Sequence, residues 1–209
     1  MSKITGIKQG KNRTKRLNVY VDEKFAMSLS PETARKENIG LGQELGKAAL
    51  EALAEKEQCQ RCFNSAARLL GYRPRSESEI RQRLNRHGYE PAIIDKTLDK
   101  LKDSGLVDDG AFARYWVENR ESFSPRGRGL TRMELKKKGL EAEIIDQAVN
   151  EIDEKESAYR AAQKRAGRLA GQDYREFRLR LGQYLARRGF NYAIIKEITQ
   201  KVWEELRKK

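Results

Sequence analysis

Histidine and cysteine, the side chains that most often act as catalysts or metal ligands, are almost missing from this sequence of 209 residues. There is one histidine, His87, and there are two cysteines, Cys59 and Cys62. A structural zinc site needs four ligands, and no Ser–His or Cys–His pair with an orienting acid can be assembled from one histidine. The Cys-x-x-Cys spacing has no second ligand pair, so we interpret both cysteines as ordinary reduced thiols. We expect no metal and no catalytic residue.

Long hydrophobic runs are also missing. No stretch approaches the roughly 18 consecutive apolar residues of a membrane helix, and no apolar segment of a secretory signal follows the basic N-terminus. A phosphate-binding loop is incomplete, because Gly42–Lys47 is one residue short and Ala48 replaces the Ser or Thr that would hold magnesium. We therefore predict a cytoplasmic protein that is not an enzyme, needs no cofactor and does not bind membranes.

What the sequence has in excess is positive charge. Lys and Arg number 44 against 31 Asp and Glu, which gives a net charge of +13. The excess is largest over residues 156–209, where it reaches +8, whereas residues 109–155 sum to −1. Such a balance favours polyanionic partners, either a nucleic acid or an acidic protein surface. Hydrophobic residues make up only 38% of the chain, which argues against one large core.

The first 57 residues have the only β pattern. Leu17, Val19 and Val21 alternate with other residues, a polar turn follows, and alternation resumes from Phe25 to Leu29. Ile4 and Ile7 indicate a third strand, and Ser30-Pro31 is a helix start. We predict a strand-plus-helix module over residues 1–57, ending in an amphipathic helix from Gln43 to about Lys56.

From residue 58 onward an internal repeat is apparent. Gly88, Gly139 and Gly189 are 51 and 50 residues apart, each with a leucine four residues earlier and Ile-Ile five and six residues later. A glycine after basic residues is typical of a helix end with a left-handed cap. We predict three tandem three-helix repeats, over residues 58–108, 109–155 and 156–209, that form an elongated, mainly α array. Only Thr131 breaks the apolar position eight residues before the glycine.

Basic residues recur on the second helix of each repeat and in the loops that precede two of these helices. The candidate binding residues are Arg73, Arg75, Arg81, Arg83, Arg86, Arg126, Arg128, Arg132, Lys136, Lys137, Lys138, Arg187 and Arg188. One interpretation is that the cations complement the helix dipole and that the loops are merely solvated. The other is a basic binding row repeated along one side of the array.

Several segments resemble the RecX regulatory proteins of bacteria. They are GLVDDGAFARYWVENR at 105–120, PRG at 125–127, ELKKKGL at 134–140 and RSESEIRQRLNRHGY at 75–89. The resemblance covers residues 60–209 and weakens in the third repeat, where Lys196 stands in place of Asp95 and Asp146. Residues 1–57 are similar to an N-terminal extension of some members.

The resemblance implies a non-enzymatic, cytoplasmic modulator that binds the RecA filament on DNA. It also implies inhibition of the ATPase, strand-exchange and coprotease activities of RecA. We expect a monomer, with single- or double-stranded DNA as a further candidate partner. An architectural protein that binds the phosphate backbone is the alternative hypothesis, and a scaffolding role for another protein is a third.

Overall fold

The computed structural model of the chain describes residues 2–10 and 15–208. These residues contain four strands and ten α-helices, so the prediction of a mainly helical chain with an N-terminal strand module is confirmed. Two compact units can be distinguished. The first contains the chain up to Arg73 together with Ile80–Val107, and the second contains Pro74–Glu79 together with the chain from Asp108 onward.

The N-terminal sheet is antiparallel throughout, in the order β3-β2-β1-β4. Its strands are β1 Ser2–Gln9, β2 Leu17–Val21, β3 Lys24–Leu29 and the short β4 Glu44–Leu45, which was not predicted. Asp22 and Glu23 form the tight turn between β2 and β3, both with the positive φ angles that favour such hairpins. Helix α1 (Pro31–Lys36) begins as predicted, with the Ser30 hydroxyl accepting a hydrogen bond from the Thr33 N–H.

Helix α2 (Lys47–Tyr72) is one continuous helix of 26 residues. The sequence predicts two separate helices here, and the predicted boundary between residues 57 and 58 lies inside α2. The segment around this boundary, Glu57–Arg61, contains neither glycine nor proline, so nothing interrupts the helix. Leu53 packs in the core of the sheet module, whereas Cys62 and Ala66 pack in the core of the first repeat.

Three helices form each repeat. The first contains the C-terminal part of α2, α3 (Glu77–Arg86) and α4 (Pro91–Asp103), and the second contains α5 (Asp109–Phe123), α6 (Arg128–Lys137) and α7 (Ala142–Asn150). The third contains α8 (Glu154–Ala166), a short 3-10 turn, α9 (Tyr174–Arg187) and α10 (Tyr192–Arg207). Each repeat has its own hydrophobic core.

The repeated glycines end the second helices as predicted. Gly88, Gly139 and Gly189 have φ angles of 79°, 80° and 83°, in the left-handed region. After each glycine, the next backbone N–H donates to the carbonyl oxygen of the repeated leucine, as in the Schellman motif. The three leucines, Leu84, Leu135 and Leu185, are fully buried.

Thr131 keeps the register of the repeat despite its polar side chain. It is buried at the position that Ile80 and Leu181 occupy in the other two repeats. Leu130, one residue earlier, lies against Gly189 instead of filling the core of its own repeat. The apparent break in the sequence pattern is therefore a substitution within the core.

Candidate interaction surface

The C-terminal ends of the three second helices carry predicted binding residues that are exposed and unpaired within the described part of the chain. Two residues before each glycine stands a cation, which is Arg86 in α3, Lys137 in α6 and Arg187 in α9. All three are exposed, and none forms an ion pair with any residue that the structure describes. We call Arg86, Lys137 and Arg187 the helix-end cations. Each adds a full charge to a helix end whose free carbonyl groups are partially negative.

Two further predicted residues are exposed on the same helices. Arg83 lies one turn before the end of α3, and Lys136 immediately precedes Lys137 in α6. Within the described parts of the chain neither has an ion-pair partner. These five side chains are available to a ligand without first breaking an internal contact.

Lys138, which directly precedes Gly139, is engaged within the second unit. Its Nζ lies 2.6 Å from Glu79 Oε1, and its carbonyl oxygen accepts a hydrogen bond of 2.6 Å from the Ser76 hydroxyl. Ser76 also accepts from the Glu79 N–H at 3.2 Å, as in a capping box. Lys138 thus joins the end of α6 to the first turn of α3.

Arg188 occupies the same repeat position and makes the corresponding joint between α9 and the start of α6. Its guanidinium donates to the Ser124 hydroxyl at 3.0 Å and to the Pro125 carbonyl at 3.1 Å. Its carbonyl oxygen accepts from the Gly127 N–H at 2.9 Å. A joint of this kind therefore occurs twice in the second unit.

Arg126, a predicted loop residue, belongs to a cluster around Glu134. The Glu134 carboxylate accepts hydrogen bonds from Trp116 Nε1 at 2.9 Å and from Arg120 Nε at 2.8 Å, and it also pairs with Arg126. Burial, reinforced by the charges of Arg120 and Arg188, lowers the pKa of Arg126. Sequence reasoning missed Arg120 and Glu134. A comparison of the repeats could have indicated this cluster, because Glu134 is an acid at a repeat position where the other copies have Arg83 and Tyr184.

Arg128, the first residue of α6, contacts the end of helix α7 and the segment that follows it. Its guanidinium donates to the Ile152 carbonyl at 2.6 Å and 3.0 Å, and its backbone N–H donates to Glu154 Oε1 at 2.8 Å. Carbonyl groups at a helix end lack hydrogen-bond partners within the helix. The Arg128 side chain supplies a donor to the carbonyl groups at and just after the end of α7. Arg128 thereby connects the start of α6 to the segment after α7.

Ion pairs hold the remaining predicted residues of the second helices. Arg81 pairs with Asp95, and Arg132 Nη2 lies 2.7 Å from Asp146 Oδ1. Both pairs link the second helix of a repeat to its third helix, at the same repeat positions. Arg73 and Arg75 are half-buried, and each takes part in an interaction within the chain.

The two cysteines lie one turn apart in α2, and neither forms a disulfide. Cys62 is fully buried and Cys59 half-buried, and burial raises the pKa of both thiols. Among residues 2–10 and 15–208, no cluster of three or more His, Cys, Asp or Glu side chains could hold a metal ion. No helix in these ranges is long and apolar enough to span a bilayer.

Four family models match successive parts of the chain. They describe the RecX N-terminal domain (residues 2–46) and the first, second and third RecX three-helix domains (residues 62–101, 108–149 and 153–199). The chain is 30% identical over 205 residues to "Regulatory protein RecX" of Clostridium botulinum (strain Eklund 17B / Type B), covering 96% of each protein. It is 37% identical over 144 residues to that of Chlorobium phaeobacteroides (strain BS1), covering 69% of this chain and 95% of the relative.

Solved structures agree with these matches. A crystal structure of regulatory protein RecX superposes with a TM-score of 0.73 at 26% identity, covering 96% of this chain and all of that one. RecX from Lactobacillus salivarius superposes with a TM-score of 0.61 at 27% identity over 70% of this chain and 97% of its own. Since the sequence matches extend over nearly the whole chain and include every repeat, the chain belongs to the RecX family of regulatory proteins.

Proposed function

We propose that this chain is a non-enzymatic, cytoplasmic regulator of the RecA recombinase that binds the RecA filament on DNA. It would act as a monomer and inhibit the ATPase, strand-exchange and coprotease activities of RecA. Membership of a family of regulatory proteins supports the regulatory role, and the relatives are named for regulation and not for a reaction.

The observation that carries the proposal is the recurrence of the helix-end cations. An exposed cation without an internal ion pair stands at the same position of all three repeats, although Lys138 and Arg188 beside two of them are engaged. A cation that served only the helix dipole would contribute about 0.3–1 kcal/mol. Three unpaired charges at equivalent positions suit a partner that is itself repetitive and negatively charged.

The proposed binding residues therefore fall into two groups. The helix-end cations, with Arg83 and Lys136, are the proposed direct contacts with the filament. The remaining predicted residues would act by keeping the second helices in place. Those residues are Arg73, Arg75, Arg81, Arg126, Arg128, Arg132, Lys138 and Arg188.

The test is ATP hydrolysis by purified RecA on single-stranded DNA, with increasing amounts of this chain at low and moderate salt. The wild-type chain should lower the rate. A variant with Arg86→Glu, Lys137→Glu and Arg187→Glu should bind filaments weakly and leave the rate unchanged. The matched control reverses three other exposed cations (Arg68→Glu, Arg114→Glu, Arg168→Glu), which gives the same change in net charge and should still inhibit. No change in rate with saturating wild-type chain would contradict the proposal.

An architectural nucleic-acid-binding protein is the second candidate, and the net charge of +13 favours it. Omission of RecA separates the two functions. Tight binding to DNA alone, with an affinity that falls steeply as salt rises, would indicate contacts with the phosphate backbone. Binding that requires the filament would indicate the RecA regulator.

A further inference from the structure

The third repeat contains a groove between α9 and α10 with a volume of about 660 Å³. Its walls include three large apolar side chains that are unusually accessible. Tyr174 is 41% exposed, Leu179 54% and Tyr192 71%. Burial of such side chains against a partner is favourable in proportion to the apolar area removed from water.

The groove exists where the first two repeats have an ion pair. Arg81–Asp95 and Arg132–Asp146 connect the second and third helices, seven residues before and after the repeated glycine. In the third repeat these positions are Gly182 and Lys196, and both line the groove. The arginine side chain is lost and the acid is replaced by a cation, so no ion pair can bridge α9 and α10 at this point.

Two further differences between the repeats make the surface of the groove more apolar. Leu179 stands where the first two repeats have Ser78 and Gly129, and Tyr192 stands where they have Pro91 and Ala142. Both substitutions enlarge the apolar surface.

The second helix of the third repeat is also longer. Helix α9 has 14 residues, whereas α3 and α6 have 10 each. The additional first turn carries Tyr174 and Arg175 in place of the loops that precede α3 and α6. The combination of Tyr174, Leu179, Gly182 and Lys196 is therefore specific to the third repeat.

The charged residues of the groove are all positive. Arg175, Arg178 and Lys196 line it, and none has an ion-pair partner in the described part of the chain. The acid nearest to them along α9, Glu176, is bound to Arg180 at 2.5 Å. The groove thus combines an apolar lining with three cations that have no ion-pair partner in the described part of the chain.

We propose that this groove binds an amphipathic helix of a partner protein, with apolar residues on one face and Asp or Glu beside them. Grooves between helices recognise such segments through apolar anchors one turn apart, and charges at the rim set specificity. Tyr174 and Tyr192 offer π faces to a nucleic-acid base, whereas Leu179 and Ile195 do not, so single-stranded DNA is the alternative ligand that the test has to separate. A second copy of this chain, with a net charge of +13, would be repelled.

None of the helix-end cations lines the groove, although Ala186 next to Arg187 does, and the proposal does not depend on the proposed function. The probe is a fluorescent helical peptide of about 16 residues with leucines along one face and glutamates beside them. One control peptide has serine in place of leucine, and another has lysine in place of glutamate. Fluorescence anisotropy with the full chain should show saturable binding of the first peptide, and binding at least about tenfold weaker for each control.

The decisive variant rebuilds the ion pair of the other repeats, with Gly182→Arg and Lys196→Asp. A Cβ atom at Gly182 would meet Ile195 at 3.6 Å, an ordinary contact, so the arginine can be accommodated. Leu179→Ser, which copies the first repeat, is a second and milder variant. Arg168→Gln, outside the groove, matches the change in net charge of the double variant.

Peptide affinity should fall at least about tenfold in both groove variants and stay unchanged in Arg168→Gln, with thermal melting showing that all of them fold. Equal affinity in the groove variants would overturn the proposal. Binding of the serine peptide as tightly as the leucine peptide would also overturn it, because charge alone would then suffice. Loss of single-stranded DNA binding in the groove variants, without any peptide binding, would reassign the groove to nucleic acid.

Discussion

The backbone N–H of Gly127 donates a hydrogen bond of 2.9 Å to the carbonyl oxygen of Arg188, 61 residues later in the chain. The two backbones approach so closely that a Cβ atom on Gly127 would lie 2.2 Å from the carbonyl oxygen of Gly189. Only glycine allows this approach. The start of α6 and the end of α9 are therefore joined by backbone contact as well as by side chains.

Gly127→Ala should force this joint apart. Overpacking of this kind typically costs about 1–3 kcal/mol, and the free energy of unfolding from urea titration should fall by that amount. The matched control is Gly129→Ala, two residues later, where a Cβ atom would meet nothing within 4 Å. That control should stabilise the chain by about 0.4–1 kcal/mol, because alanine restricts the unfolded chain. A neutral Gly127→Ala would show that the joint can open freely.

Glu134→Ala should destabilise the second repeat more than other losses of an acid. The Glu134 side chain is only 14% exposed and holds Arg120 and Arg126, which would be left half-buried without a partner. We expect a loss of about 1.5–3 kcal/mol in urea titration. Asp146→Ala removes an acid from a pair that is about half exposed and should cost about 0–1 kcal/mol. Equal losses in the two variants would show that the cluster contributes nothing beyond a surface pair.

Ile94→Asp should unfold the first repeat. Ile94 is fully buried on the repeated apolar face, and a carboxylate there would have no partner, which we expect to cost more than about 3 kcal/mol. Circular dichroism melting should show the loss of helix. This variant calibrates the binding experiments, since the helix-end cation variants should melt almost normally while losing the filament. If they melt like Ile94→Asp, their effect on RecA is a loss of fold.

The buried thiol of Cys62 should make stability depend on pH in the alkaline range. Burial raises its pKa in the folded chain, so folding favours the neutral thiol. The resulting stability is fully present below the pKa of the unfolded thiol, about 8.5. It is lost as pH rises from there through the folded value. Urea midpoints between pH 7 and pH 10 should fall more steeply for the wild-type chain than for Cys62→Ala. Identical slopes would contradict the assignment.

The parts of the fold that sequence predicts are those with local causes. A basic helix end, a glycine with left-handed φ and a following apolar residue form a motif within a few residues, so Gly88, Gly139 and Gly189 are recognisable without a structure. The hairpin turn at Asp22 and the cap at Ser30 are equally local. The uninterrupted α2 is predicted less well. Its first half packs against the sheet module and its second half against the first repeat, so the amphipathic pattern changes in the middle although the helix continues.

The internal partners of the basic residues could not be predicted. Lys138 and Glu79 are 59 residues apart in the chain, and nothing in either segment indicates that they meet. The apolar groove has the same character, because its opening depends on Gly182 and Lys196 on two different helices. The number of charged residues can be read from the sequence, but tertiary packing decides which of them form ion pairs within the chain.

The continuity of α2 has a mechanical consequence. A helix of 26 residues is about 39 Å long, and each of its two halves is held by a different core. The buried Glu57 carboxylate binds Arg16 and the backbone N–H of Ser30 in the sheet module, while Cys62 is embedded in the first repeat. The sheet module therefore has no hinge at this point and works as a lever arm. A ligand that pushes on the sheet exerts a torque on the first repeat, and a rotation of a few degrees at one end becomes a displacement of several ångströms at the other.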